Sequence, residues 1–342
     1  MFTMCPVYTP CRAILSHLLS YLRRAVPDRR LLVLVVLLAI LLWPACSVRR
    51  FAVNRIGDAL ASGGSTYERD EDLELVGDAL PFGLKLIESL LAESPRHKGL
   101  LLAACRGFTF YSYAYVHQQA DRVVQEDLER GNAMRARARR LYARARRYGL
   151  DGLELSCPGI RNRLDTDPET AVAAARKRDV PLLYWNAAAL GLAISATRHD
   201  AELLARLPEV EALLGRALEL DEGWQEGALH EMRIVYEGAR PGGAPPNAGL
   251  IKKHFERAVE LSGGKRASLY VAYAEAMSIR SQDRAEFQAL LGKAMSIDPD
   301  RYEEVRVSNL IAQQRARWLL GRMDELFLEE ASTPEAGEKA EP

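Results

Sequence analysis

The residues best equipped for chemistry in this chain are scattered, and their spacing decides what they can do. Six histidines (His17, His97, His117, His199, His230, His254) stand singly along the sequence. His230-Glu231 lacks the second histidine of a zinc-protease helix, and no CxxC pair or Cys/His cluster has zinc-site spacing. Ser262-Gly263-Gly264-Lys265 has the glycines of a phosphate loop. It has neither the earlier glycine nor a Ser/Thr after the lysine, and it falls at a turn between helices. Asp70, Asp72 and Asp78 lack the glycine turn and terminal glutamate of a calcium loop, so helix capping is their expected role. No GxSxG occurs. The pattern holds no catalytic constellation, no metal site and no cofactor motif, and the chain is expected not to be an enzyme. The aromatics offer more. Tyr111, Tyr113, Tyr115, Tyr184, Trp185, Trp224, Tyr270 and Tyr273 fall on apolar helices, where amphipathic rings serve either as core or as the lining of a binding cavity. Tyr113, Trp185 and Asn186 are the candidate ligand-binding residues.

Cys46 carries a separate chemistry. Arg23, Arg24, Arg29 and Arg30 precede a wholly apolar run of 13 residues, Leu31 to Trp43. That is the shape of an export signal and is shorter than the roughly 20 residues of a membrane span. Trp43-Pro44-Ala45-Cys46-Ser47 follows and is similar to a bacterial lipobox, with Trp43 where leucine is preferred. Residues 1–45 therefore read as a lipoprotein signal peptide and Cys46 as the lipid-attachment residue; an uncleaved signal anchor is the alternative. Ser47 in second place fits an outer-membrane destination, on the periplasmic side. Of the remaining thiols, Cys105 and Cys157 lie among apolar residues, open to pairing or to burial as free thiols.

The elements that would position these residues are helices. With 342 residues, 48% of them hydrophobic, the chain can bury a sizeable core. Its 46 basic and 46 acidic residues balance, which argues against nucleic acid as partner. Helical periodicity runs through nearly every segment, with no sustained strand alternation. Three stretches share one spacing of an apolar residue, a small one, another apolar one and a breaker: Leu214-Ala217-Leu220-Glu222, Phe255-Ala258-Leu261-Gly263 and Leu291-Ala294-Ile297-Pro299. Each reads as the second helix of a hairpin repeat. The steps between the central alanines, 41 and 36 residues, are looser than the tetratricopeptide period of about 34. The expected fold is all-α, with tetratricopeptide-like helical hairpins stacked into a right-handed array over residues 46–329, followed by a disordered acidic tail over 330–342.

In detail, a first helix spans about 51–61. The next runs to about Ala92, kinked or broken at Pro81, and a central aromatic helix follows. An Arg-rich helix covers 120–149, with seven arginines between Arg135 and Arg147 on a solvated outer face. A loop spans 151–158, a helix capped at Asp167 runs from 169 to about 178, and an apolar helix opens at Pro181. A loop at 238–249 separates two repeats, and the last helix covers 301–328.

The succession of pieces resembles one family. Asn54-Arg55-Ile56-Gly57-Asp58-Ala59-Leu60, Asp78-Ala79-Leu80-Pro81-Phe82 and Leu84-Lys85-Leu86-Ile87-Glu88-Ser89-Leu90-Leu91 resemble the T-component of TRAP transporters. So do Leu183-Tyr184-Trp185-Asn186-Ala187-Ala188, Phe255-Glu256-Arg257-Ala258, Ala316-Arg317-Trp318-Leu319-Leu320 and Asp324-Glu325-Leu326-Phe327. The resemblance covers about residues 46–328. It implies a periplasmic lipoprotein of tripartite ATP-independent transport, partnered by a solute-binding protein. It also implies homotrimerisation and a channel or cavity suited to a hydrophobic small molecule. The alternative expectation is a tetratricopeptide-like scaffold for cell-envelope assembly, with no ligand path.

Overall fold

The computed structural model describes residues 53–60, 64–197, 200–239 and 247–328. Cys46, the signal segment and the acidic tail lie outside the described residues, as does most of the 238–249 loop. The chain divides into two compact units, Met1–Ile56 and Gly57–Pro342. Only 53–56 of the first is described, as helix. The second is helical, with no strand among its described residues.

Helix α1 (Leu73–Glu93) begins where the aspartates predicted it: Asp72 Oδ1 accepts from the backbone N–H of Glu74 and Leu75 at 2.9 and 3.0 Å. It runs through Pro81 without the break that was one of the two expected outcomes. Val76, Leu80, Leu84 and Leu91 form one buried stripe across the proline, and packing of that stripe offsets the roughly 3 kcal/mol a mid-helix proline costs. Helix α2 (Lys98–Tyr111) is capped by His97, whose Nδ1 accepts from Leu100 N. It continues through a π-helical segment, Ser112–His117, into a short helix, Gln118–Val123.

The Arg-rich segment is not one helix from 120. The chain turns at 124–127, and α3 (Leu128–Glu154) starts afresh under the Asp127 cap, absorbing part of the expected loop. Its apolar face is buried as the wheel places it, at Ala138 and Ala145, together with Tyr142. Several arginines depart from the solvated face: Arg135 and Arg139 line the interior space that the helices enclose, and two others are tied down on other sides of the helix. Buried Arg146 pairs with buried Glu209, and Arg144 grips Glu88 through Nε and Nη2 at 2.6 and 2.5 Å. The helix expected at 169–178 is a single capped turn, Pro168–Val172, with a 3-10 turn at Lys177–Asp179.

Helix α4 (Val180–Ala196) is followed by α5 (Leu207–Asp221), α6 (Ala228–Ala239), α7 (Ala248–Ser262), α8 (Ala267–Tyr273), α9 (Arg284–Met295) and α10 (Arg306–Leu320). The expected last helix is shorter than 301–328, because two 3-10 turns precede α10 and a separate turn, Met323–Leu326, follows it. Consecutive helices pair (α2 with α3, α4 with α5, α6 with α7, α8 with α9), and the first helix of each pair packs on the first of the next. The predicted small residues sit at these contacts, for Ala217 on α5, Ala258 on α7 and Ala294 on α9 are each fully buried. At Gly227, whose φ of +94° favours glycine, an added Cβ would lie 3.0 Å from the Ala258 Cα.

The array closes on itself. Val76 and Leu80 of α1 pack with Val307 and Ile311 of α10, Arg306 Nη1 donates to the Arg69 carbonyl at 2.8 Å, and Tyr115 donates to Leu73 O at 2.9 Å. The inner helices α2, α4, α6, α8 and α10 thus wall a central space, with α5, α7 and α9 behind them. No helix among the described residues is long and apolar enough to cross a membrane. Cys105 and Cys157 are free and buried.

Candidate functional site: a walled cavity with paired charges

The space enclosed by the inner helices has a volume of about 1920 Å3, roughly twice the upper end for ordinary small-molecule sites. Much of its wall is apolar: Leu80, Leu84, Phe110, Leu192, Val235, Val271, Ile311 and Leu319 all line it. Of the aromatics singled out in the sequence, Tyr113, Tyr184 and Trp185 line it, while Tyr111, Tyr115, Trp224, Tyr270 and Tyr273 are not among its lining residues. Tyr184 lies beside Trp185, with ring centroids 5.0 Å apart, and packs on Trp224 at 4.7 Å.

Asn186 is elsewhere. It is fully buried between α4 and α3 and is not among the residues lining the cavity. Its Nδ2 donates to the Leu182 carbonyl at 2.8 Å while its Oδ1 has no partner. A Cβ at Gly149 would meet Asn186 Nδ2 at 2.4 Å, so α3 and α4 approach closely only because glycine stands there.

Two π-helical segments face the cavity. Ser112–His117 delivers Tyr113 and His117, and the turn after it adds Gln118 and Asp121; Ala274–Ser278 delivers Glu275. Each π turn shifts the register of its helix, so the residues that face the cavity beyond it are not those an unbroken α-helix would present. Arg315 of α10 joins the two, with Nη1 to Asp121 Oδ2 at 3.0 Å and Nη2 to Glu275 Oε1 at 2.7 Å. Asp121 also accepts from Arg135 at 3.0 Å. The Arg315 guanidinium stacks on Trp318 at 4.3 Å, and Arg322 covers the same ring at 4.7 Å. A second pair, Arg266 with Glu231 at 3.2 Å, spans α8 and α6.

These neighbours set the charge states. Burial works against ionisation of both Arg315 and Asp121, but the partners outweigh it: Glu275 and Asp121 raise the Arg315 pKa, and Arg315, His117 and Arg135 lower that of Asp121. The Tyr113 hydroxyl is pushed up to about 12 by burial, with Arg315 opposing and Glu275 adding to the rise. Tyr184 moves further in the same direction, through burial and Glu231. Both phenols stay neutral near pH 7 and offer hydrogen bonds without charge. Burial likewise lifts the Cys105 thiol to about 12, which leaves it unreactive.

Local sequence reading could not find Asp121, Glu231, Arg266, Glu275 or Arg315, since each is one charge among many. A signal does exist in their separation. Glu231 and Arg266 stand 35 residues apart and Glu275 and Arg315 stand 40, close to the 36- and 41-residue steps between the repeat alanines. Acid and base one repeat apart fall on neighbouring inner helices.

The histidines are not all solitary. His230 and His254 meet through their Nδ1 atoms at 2.8 Å, with Glu222 3.2 Å from His230 Nε2, in a shallow site on the α6–α7 pair. Among the described residues no group of three or more His, Cys, Asp or Glu could hold a metal ion.

The described residues thus form a closed all-α ring around a large amphipathic cavity in which many of the chargeable groups are paired. Residues 69–327 match the family model of the TRAP transporter T-component. The chain is also similar to an uncharacterized protein of Treponema pallidum (strain Nichols), 29% identical over 309 residues that cover 84% of this chain and 95% of the relative. The chain belongs to the TRAP transporter T-component family, whose members are components of a transport system.

Proposed function

We propose that this protein is the lipid-anchored accessory component of a tripartite ATP-independent periplasmic transport system. In this reading it docks a solute-binding protein and passes a hydrophobic small molecule through its cavity. Acylated Cys46 tethers it to the membrane from the periplasmic side, with the outer membrane favoured. The body is a set of tetratricopeptide-like hairpins, and homotrimerisation would align three cavities. The observation that carries the reading is the cavity itself: an apolar and aromatic wall built by every inner helix, far larger than a packed core leaves empty. Tyr113 and Trp185 are its ligand contacts, and Asn186 serves by holding α4 against α3.

The test is a pull-down of tagged full-length protein from native cell envelopes, with mass spectrometry of proteins and small molecules. Recovery of a TRAP solute-binding protein with an apolar ligand is the expected result. Recovery of envelope-assembly proteins alone, with an empty cavity, would overturn it in favour of the scaffold reading. Replacing Cys46 with Ser should release the protein from membranes, and retention would instead indicate an uncleaved anchor.

A further inference from the structure

Among the described residues that line the cavity, Gln118 has a buried side-chain donor with no hydrogen-bond partner. The residue is only 4% exposed, and the unpartnered atom is Nε2. A buried amide donor in that position costs free energy unless something accepts from it. Its backbone N–H donates to the Tyr113 carbonyl across the π turn, so the two side chains share one face. Gln118 leans toward the Tyr113 hydroxyl and offsets part of the rise in its pKa, without reaching hydrogen-bond geometry at Nε2.

The charges around it argue about the ligand's own charge. Arg315, Arg135 and Arg266 are already held by Asp121, Glu275 and Glu231. The other lining arginines are occupied too, Arg106, Arg139 and Arg322 by carboxylates and Arg280 by the Gly238 carbonyl. Beside Tyr113 and Gln118 an anionic head would have to break the Arg315 or Arg135 pairs and leave Asp121 or Glu275 uncompensated, and a cationic head would have to do the reverse. A neutral acceptor needs neither.

Resting on the reading of this cavity as a ligand site, we propose that it selects an uncharged amphiphile. The ligand's carbonyl or ether oxygen accepts from the Gln118 amide and the Tyr113 hydroxyl. Its apolar body lies on Leu80, Phe110, Val307 and Ile311, which form one hydrophobic cluster with Tyr113 or border the same wall.

The experiment uses the full-length chain held in amphipol and the apolar fluorophore 1-N-phenylnaphthylamine. Energy transfer from the cavity tryptophans, Trp185 and Trp318, reports probe inside the protein rather than in the polymer. The probe is then displaced with 2-decanone, decanoate or decylamine. The ketone should displace at lower concentration than either ion. Gln118→Met, matched in length, should weaken the ketone about fivefold, the worth of one neutral hydrogen bond, and leave the fluorophore's own affinity unchanged. Decanoate or decylamine binding best, or a ketone indifferent to Gln118→Met, would overturn the inference while the cavity reading stands. Absence of energy transfer in the wild-type protein would sink the cavity reading and the inference together. If Gln118→Met fails to fold, the wild-type ranking of the three probes decides the question alone.

Discussion

Gly149→Ala tests the account of how α4 is held. The added methyl would lie 2.4 Å from Asn186 Nδ2 and 2.7 Å from its Cγ and Oδ1, all inside contact distance. Asn186 is fully buried and its Nδ2 is bonded to the Leu182 carbonyl, so the amide cannot swing away without losing that bond. Overpacking of this kind costs about 1–3 kcal/mol, and the lost hydrogen bond adds about 1. The better helix propensity of alanine returns about 1, leaving a net loss of about 1–3 kcal/mol. Asn186→Ala alone should cost about 1 kcal/mol, because one hydrogen bond goes but an unpartnered buried oxygen goes with it. In the double variant the methyl fills the space the amide vacates, so stability should return close to wild type, with coupling of about 2 kcal/mol. Urea unfolding followed by far-UV circular dichroism reads all four proteins. Should Gly149→Ala cost the same with and without Asn186, the contact is not what glycine is there to permit. Should Asn186→Ala abolish fluorophore uptake at an unchanged midpoint, Asn186 is a ligand contact and its placement here is wrong.

Arg315→Met should destabilise the protein by about 3 kcal/mol, since it leaves Glu275 and Asp121 partly buried beside each other. Adding Glu275→Gln should recover part of the loss, and strict additivity in urea midpoints would refute the pairing. Burial, helped by His230, Arg233 and Lys253, depresses the folded pKa of His254 to about 4. The unfolded chain, near 6.5, therefore binds more protons in between. Stability from this pair should be complete above about pH 6.5 and fall as pH drops toward 4. His254→Gln should flatten that part of the profile, and an unchanged profile would refute it. Asp121 has a lowered pKa, so its contribution should be complete above the ordinary carboxylate range and be lost progressively as pH falls from that range through the lowered folded value. Asp121→Asn should remove that acid step in the same titration.

What the sequence made readable was whatever repeats or alternates within one element. Ala217, Ala258 and Ala294 announced close helix contacts because a small residue recurs at one place in an apolar frame. Asp72 and Asp167 were legible as acids ahead of helical runs, whereas the Asp127 cap and the start of α3 were missed because the helix wheel continues smoothly across the 124–127 turn. Pro81 misled because a local cost was weighed without the buried stripe that offsets it. The aromatic wall was visible in Tyr113 and Trp185. Asn186, next in sequence to Trp185, points about 100° away on its helix and so belongs to another contact. The charged pairs needed two readings at once, the repeat period and the identity of the inner helices, and the π turns that aim Tyr113 and Glu275 leave no sign in composition.

Closure of the ring also bears on how this protein is made. Arg69 meets Arg306, 237 positions later, and Asp121 meets Arg315, 194 later. An open solenoid can consolidate one hairpin at a time as the ribosome delivers it. Here the apolar stripe of α1 must wait for α10, which at about 5–20 residues per second is a delay of roughly ten seconds to most of a minute. During that interval Val76 and Leu80 lack their final partners. The chain is thus a natural client for a holdase, and its release should coincide with the arrival of its last long helix.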